Sequence, residues 1–158
     1  MKSFSKILIC GFFGLITFLA VTTDDKKKSK KNGEQDEPAV DLVNAPVSNL
    51  RPTGELQQLY SMGGIHTNLQ RDEKTEEIKG KIVEWTLNFY DVHKMGDNKY
   101  RVTTQADDEV STSIVLTTRT AEEKDRMKSL TTGNSISIRG KIDDVTFRVI
   151  EIEPAILQ

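Results

Sequence analysis

The chain is poor in the residues on which most enzyme and metal chemistry depends. Its 158 residues include one cysteine, one tryptophan, two histidines and four prolines. A single cysteine, Cys10, excludes an intramolecular disulfide, so any folded part must be held by its apolar core. The two histidines, His66 and His93, have no second ligand at a zinc spacing. The CxxC, HExxH, P-loop and Gly-rich dinucleotide patterns are all absent. An excess of charge of one sign is missing as well: 22 Lys and Arg face 24 Asp and Glu, a net charge of -2. That balance argues against a generic polyanion binder. The composition also excludes collagen-like, disulfide-rich and wholly disordered chains.

What is present is unevenly spread. Ile7 to Val21 is an almost unbroken apolar run behind Lys2 and Lys6. A run of this length suits a secretory h-region, about 7–15 residues, better than a membrane span of about 20. Residues 1–23 are therefore expected to be a signal peptide or a membrane anchor, with Ala20-Val21-Thr22 as the candidate cleavage site. Cys10 lies inside the run, directly after Ile9, and lacks the small preceding residue that lipidation needs. Lys26, Lys27, Lys28, Lys30 and Lys31 follow the run, and positive charge behind a span disfavours translocation. The expected location is thus exported, periplasmic or membrane-anchored. The alternative is an inner-membrane anchor with the domain facing the cytoplasm. Residues 24–51 cannot bury enough surface to offset their ordering entropy and are expected to be a disordered Lys-rich linker. A solvated spacer outweighs a lipid-headgroup patch there.

Residues 52–75 are expected to hold a short helix and a connection. Thr53 is the expected N-cap, Leu56, Leu59 and Tyr60 form one apolar stripe for docking, and Gly63-Gly64 ends the helix. From Glu76 onward, period-2 alternation and β-branched residues indicate strands. The expected strands are Glu77–Val92, Lys99–Gln105, Glu109–Thr118, Asn134–Ile142 and Val145–Ile152, the last ending in Pro154. The first is long, and its face changes phase next to Gly80. Gly96-Asp97-Asn98 and Asp143-Asp144 are the expected turns. A helix capped by Thr120, carrying Met127 and Leu130 and stopped at Gly133, separates the third and fourth strands. Five strands with one helix in that place specify a mainly β domain, the five-stranded OB-fold barrel, over residues 76–158.

The segments KGKIVEW, NKYRVTT, VLTTR, LTTGNSISIRGKI and IEIEPAIL resemble a bacterial family of exported OB-fold proteins, the tRNA-anticodon-binding-like (tRNA_anti-like) group. The resemblance covers residues 77–157, about half the chain. It implies an OB-fold and often an envelope location, and it supplies no catalytic residue to carry over.

OB-folds commonly bind through strands 2 and 3, which makes Trp85, Tyr100, Arg101 and Arg119 the candidate ligand-face residues. Trp85 and Phe89 fit the barrel core better than a stacking surface. Residues 74–158 hold 13 Lys and Arg against 15 Asp and Glu, so no basic groove for nucleic acid is implied. Asp91 and His93, two apart on a strand, are more often an exposed pair than an acid–base couple. Asp107, Asp108 and Glu109 lack a calcium-loop spacing and read as a solvated turn. No catalytic group, cofactor or metal is expected. The sequence reading is a non-enzymatic binding module for an envelope protein or glycan, touching membrane through its N-terminal segment if that is uncleaved. The alternative is a single-stranded nucleic-acid-binding domain facing the cytoplasm.

Overall fold

The computed structural model describes residues 41–158 apart from Ala106. The expectations for the leader, for Cys10 and for the lysine cluster fall outside the described residues. The elements are α1 (Glu55–Tyr60), α2 (Asn68–Ile78), β1 (Ile82–Lys94), β2 (Lys99–Thr104), β3 (Thr112–Thr117), α3 (Ala121–Ser129), β4 (Ser135–Thr146) and β5 (Val149–Leu157). The strands close in the order β1-β2-β3-β5-β4, with β3 and β5 parallel and the other pairs antiparallel. This is the OB-fold barrel that the alternation indicates, with α3 between β3 and β4.

Closure rests on β1. Its first half, Ile82–Asn88, pairs with β4, and its second half, Phe89–Lys94, pairs with β2. Between Phe89 and Asp91 the register slips, and this bulge, not Gly80, is where the strand bends. Gly80 stands before the strand at φ 78°, ending α2 in the left-handed region that glycine adopts most readily. Val83, Trp85, Leu87 and Phe89 alternate inward and meet Val102, Ile114, Ile136, Ile138, Ile150 and Ile152 in one buried core. Thr104 and Thr112 share that interior and satisfy each other with a 2.6 Å hydroxyl–hydroxyl hydrogen bond.

Several boundaries move from their sequence positions. The strand expected from Glu77 is helix as far as Ile78, because Thr67 and Gln70 form a capping box that starts α2. The α1 N-cap is Gly54, not Thr53, and no side chain caps it. The helix capped by Thr120 ends at Ser129, four residues before Gly133. Asp143 and Asp144 do not turn the chain. β4 runs on to Thr146, the turn is Phe147-Arg148, and β5 continues through Pro154 to Leu157. The expected docking of Leu56, Leu59 and Tyr60 holds: all three are buried in the common core.

The linker expected to end at Arg51 is fixed over its last part. Ser48 N donates to Ile82 O at 2.7 Å, Trp85 Nε1 to Leu50 O at 2.9 Å, Val110 N to Pro52 O at 2.7 Å, and Arg139 to Ala45 O at 2.6 Å. Polar composition suggests a free spacer, but backbone carbonyls need no side-chain signal to accept from barrel donors.

One close approach sets the packing of β5. Gly140 sits opposite Val83 on β1 and Ala155 on β5. A Cβ there would run into Ile152 Cγ2, with Ala155 Cβ at 2.9 Å and Pro154 O at 3.0 Å. Gly140→Ala should therefore lower unfolding stability by about 1–3 kcal/mol, the usual cost of overpacking. Urea denaturation of the purified chain measures this, and an unchanged midpoint would refute the close approach.

Candidate functional site

The four candidate ligand-face residues do not share a face. Trp85 and Tyr100 are buried in the core, and the Trp85 indole N–H is spent on Leu50 O. Arg119 is a fastener. Its guanidinium donates to Glu123 Oε1 at 2.7 Å and to Leu157 O at 2.9 Å, tying the start of α3 to the end of β5. Only Arg101 points outward with no ion pair among the described residues. Lys99, its neighbour on β2, is paired with Glu153 of β5 at 2.8 Å. On β2 and β3 the exposed and half-exposed side chains are Lys99, Arg101, Thr103, Ser113 and Thr117, none of them aromatic. His93 Nε2 lies 3.0 Å from Asp91 Oδ2, both well exposed. His66 is half-buried beside α1 and α2. Glu109 accepts from Asn88 N at 3.1 Å, and no group of three or more His, Cys, Asp or Glu among the described residues is placed to hold a metal.

A different end of the molecule carries the unusual features. The two-residue β4–β5 turn places both Phe147 (φ 50°) and Arg148 (φ 69°) in the left-handed region. Tight hairpins of this hand favour Asn-Gly, and a bulky aromatic there is strained. The strain is not offset by packing, since Phe147 is 94% exposed. Arg148 reaches back to donate to Ser61 O at 2.7 Å and lies 3.8 Å from Met62 Sδ, so the turn is latched to the end of α1. Met62 (87% exposed), Ile65 (95%) and Leu69 (67%) continue from that latch through the α1–α2 connection into α2. Phe147, Arg148 and Met62 rim a cleft of about 360 Å³ whose other walls include Gln57, Asp107 and Glu109. Beyond the turn, Asp72, Glu73 and Glu76 of α2 face Asp144 of β4 across a second groove.

Sequence reasoning missed this end because Asp143-Asp144 looks like a turn and Phe147-Arg148 does not. The readable signal was parity: Ile138 and Ile142 on one strand and Ile150 and Ile152 on the next leave Phe147 and Arg148 near the middle. The α1–α2 unit beneath it is held by Lys74, 2.8 Å from Glu55 and 3.0 Å from Glu77. Buried Arg71 adds a bond to Leu59 O, and the Tyr60 hydroxyl lies 2.9 Å from Thr75 Oγ1. The hydrogen bond from Lys74 holds the Glu77 carboxyl below its usual range, and the bond to Glu55 raises Lys74. Burial pushes the Tyr60 phenol up.

No family model matches the chain, and no curated protein matches it. Among solved structures it is similar to a lipoprotein of Klebsiella pneumoniae subsp. pneumoniae MGH 78578 provisionally named as nucleic-acid-binding. The two are 12% identical, the alignment covers 65% of this chain and 85% of that one, and the TM-score is 0.43. No helix among the described residues is long and apolar enough to cross a membrane.

Two outcomes follow from this geometry. Phe147→Asn relieves a left-handed bulky residue without losing packing, so the chain should gain about 1 kcal/mol in unfolding free energy; a loss on thermal or urea denaturation would show that Phe147 packs. Because Glu77 titrates below its ordinary 4.5 when folded, its contribution is complete above that value and is lost as pH falls through the folded pKa. Protection of α1 amides against hydrogen exchange, after correction for the intrinsic pH dependence of the rate, should therefore fall on acidification below about pH 4.5 in the parent, with a smaller pH response in Glu77→Gln. An equal response in both would remove Glu77 from the clasp.

Proposed function

We propose that the chain is a non-enzymatic OB-fold binding module of the tRNA-anticodon-binding-like group, exported or held at the membrane by its N-terminal segment. In this reading it docks an envelope partner through the Met62, Ile65, Leu69 and Phe147 end of the barrel. The observation that carries the proposal is the set of large apolar side chains left in water there, Met62, Ile65, Leu69 and Phe147, with Met62 and Phe147 rimming one cleft and Phe147 on a strained turn. Exposed apolar surface gathered at one end of a small domain is characteristic of interaction sites, and removing it from water supplies about 25 cal/mol per Å². Strain retained at an exposed position points the same way, because the surrounding structure must hold it at a cost.

The alternative, single-stranded nucleic acid, asks for exposed rings and a basic track. The β2–β3 face offers Arg101 and no exposed ring, and the neighbouring β1 adds one, Tyr90, without a basic track, so this reading is the weaker one.

The test is photocrosslinking in the native cell with the full chain. A photoreactive residue in place of Ile65 should give a discrete adduct, and one in place of Arg101 should not. Adducts only from Arg101 would overturn the proposal. Retention of the full chain on single-stranded DNA at about 50 mM salt, lost at higher salt, would favour the alternative. A C-terminal reporter active only outside the cytoplasm should be active, and a silent one would sink export.

A further inference from the structure

The charges around the apolar ridge narrow the partner. On one side, the cleft rimmed by Phe147 and Met62 contains Asp107 and Glu109. On the other, Asp72, Glu73 and Glu76 of α2 stand over Asp144. Asp72 and Glu73 lie three and four residues beyond Leu69, so they share its side of the helix. Two cations are in reach and the carboxylates outnumber them: Arg148 lines the first cleft with a guanidinium N–H donating to the Ser61 carbonyl, and Lys79 stands 3.8 Å from Asp144. Among the described residues, Asp72, Glu73, Glu76 and Asp107 have no ion-pair partner.

Met62 and Phe147 thus rim a cleft that holds two carboxylates, and Leu69 shares its side of α2 with the carboxylates of the second groove. An anionic lipid surface or a phosphate backbone would be repelled by both sets of carboxylates. A neutral glycan would not use the Met62–Ile65–Leu69 strip, whose side chains carry no hydrogen-bonding group. Resting on the docking reading above, we propose that the occupant is a partner polypeptide whose docking segment combines apolar and basic side chains. The apolar residues would seat on Phe147, Met62, Ile65 and Leu69. The flanking Lys or Arg would enter the grooves toward Asp107 on one side and Asp72, Glu73 and Glu76 on the other. The turn serves this by holding Phe147 clear of the barrel, at the expense of the stability that an Asn-Gly turn would give.

The test uses the full chain and three probes: a labelled helical peptide of Leu and Lys, its Leu and Glu counterpart, and anionic phospholipid vesicles. Fluorescence anisotropy should show binding of the Leu/Lys peptide alone. Phe147→Asn, which leaves the fold intact or firmer, should weaken it by about tenfold or more. Neutralising Asp72, Glu73 and Glu76 together to Asn, Gln and Gln should also weaken it and flatten its salt dependence. Circular dichroism confirms that each variant is folded. Binding of the Leu/Glu peptide or the vesicles as tightly as the Leu/Lys peptide would overturn the inference. So would Leu/Lys binding indifferent to both sets of changes, or no binding of that peptide. The crosslinking arm separates the two levels: an adduct at Ile65 with no Leu/Lys binding leaves a docking module and removes the basic partner, whereas no adduct removes the docking reading itself.

Discussion

Everything in this domain depends on one strand pairing with two neighbours. A five-stranded barrel closes only if β1 reaches both β4 and β2, and its 13 residues divide that task at the Phe89–Asp91 bulge. The bulge turns the strand without turning the Trp85, Leu87, Phe89 series out of the core. Gly140 is the matching concession on β4, since only a missing side chain lets β5 close over it. With β1 fixed, the remaining parts find their places on it. The segment from Ala45 to Pro52 lies along its start, and the indole of Trp85 provides the donor that holds Leu50.

The barrel was legible because its signal is repeated. Ile136, Ile138 and Gly140, or Val110, Thr112, Ile114 and Leu116, alternate in a way that few non-strand segments do, and each of these positions is buried. α2 was not legible by periodicity, because Leu69 and Ile78 are its only apolar residues and Leu69 faces water. Its signature lay in Thr67 and Gln70, a local capping pair independent of any apolar face. The ordered stretch from Asp41 to Arg51 was hidden for another reason. Its hydrogen-bonded fastenings are backbone carbonyls and amides, which every residue possesses, and its packed apolar residues, Leu42 and Leu50, are too isolated to set a pattern.

The candidate site was the least readable part, and the reason is physical. Aromatic and cationic residues on strands mark a ligand face only if they point outward. Trp85 and Tyr100 instead supply core volume, and Arg119 supplies a tie between α3 and β5. The exposed aromatic that matters sits where turn chemistry argues against any aromatic. A left-handed Phe147 latched by Arg148 departs from local preference, and such departures concentrate where a protein's task competes with its stability. Arg148 ties the hairpin to the end of α1, and Lys74 ties α1 to α2 through Glu55.

The central claim is that this ridge is covered when the protein is at work. A cysteine in place of Phe147 tests it most directly, labelled with a thiol-reactive reagent in the purified chain and in intact cells, with the parent chain as the control for Cys10. The account predicts rapid labelling of position 147 in the purified protein and marked protection in the cell. Equal labelling in both settings would contradict it.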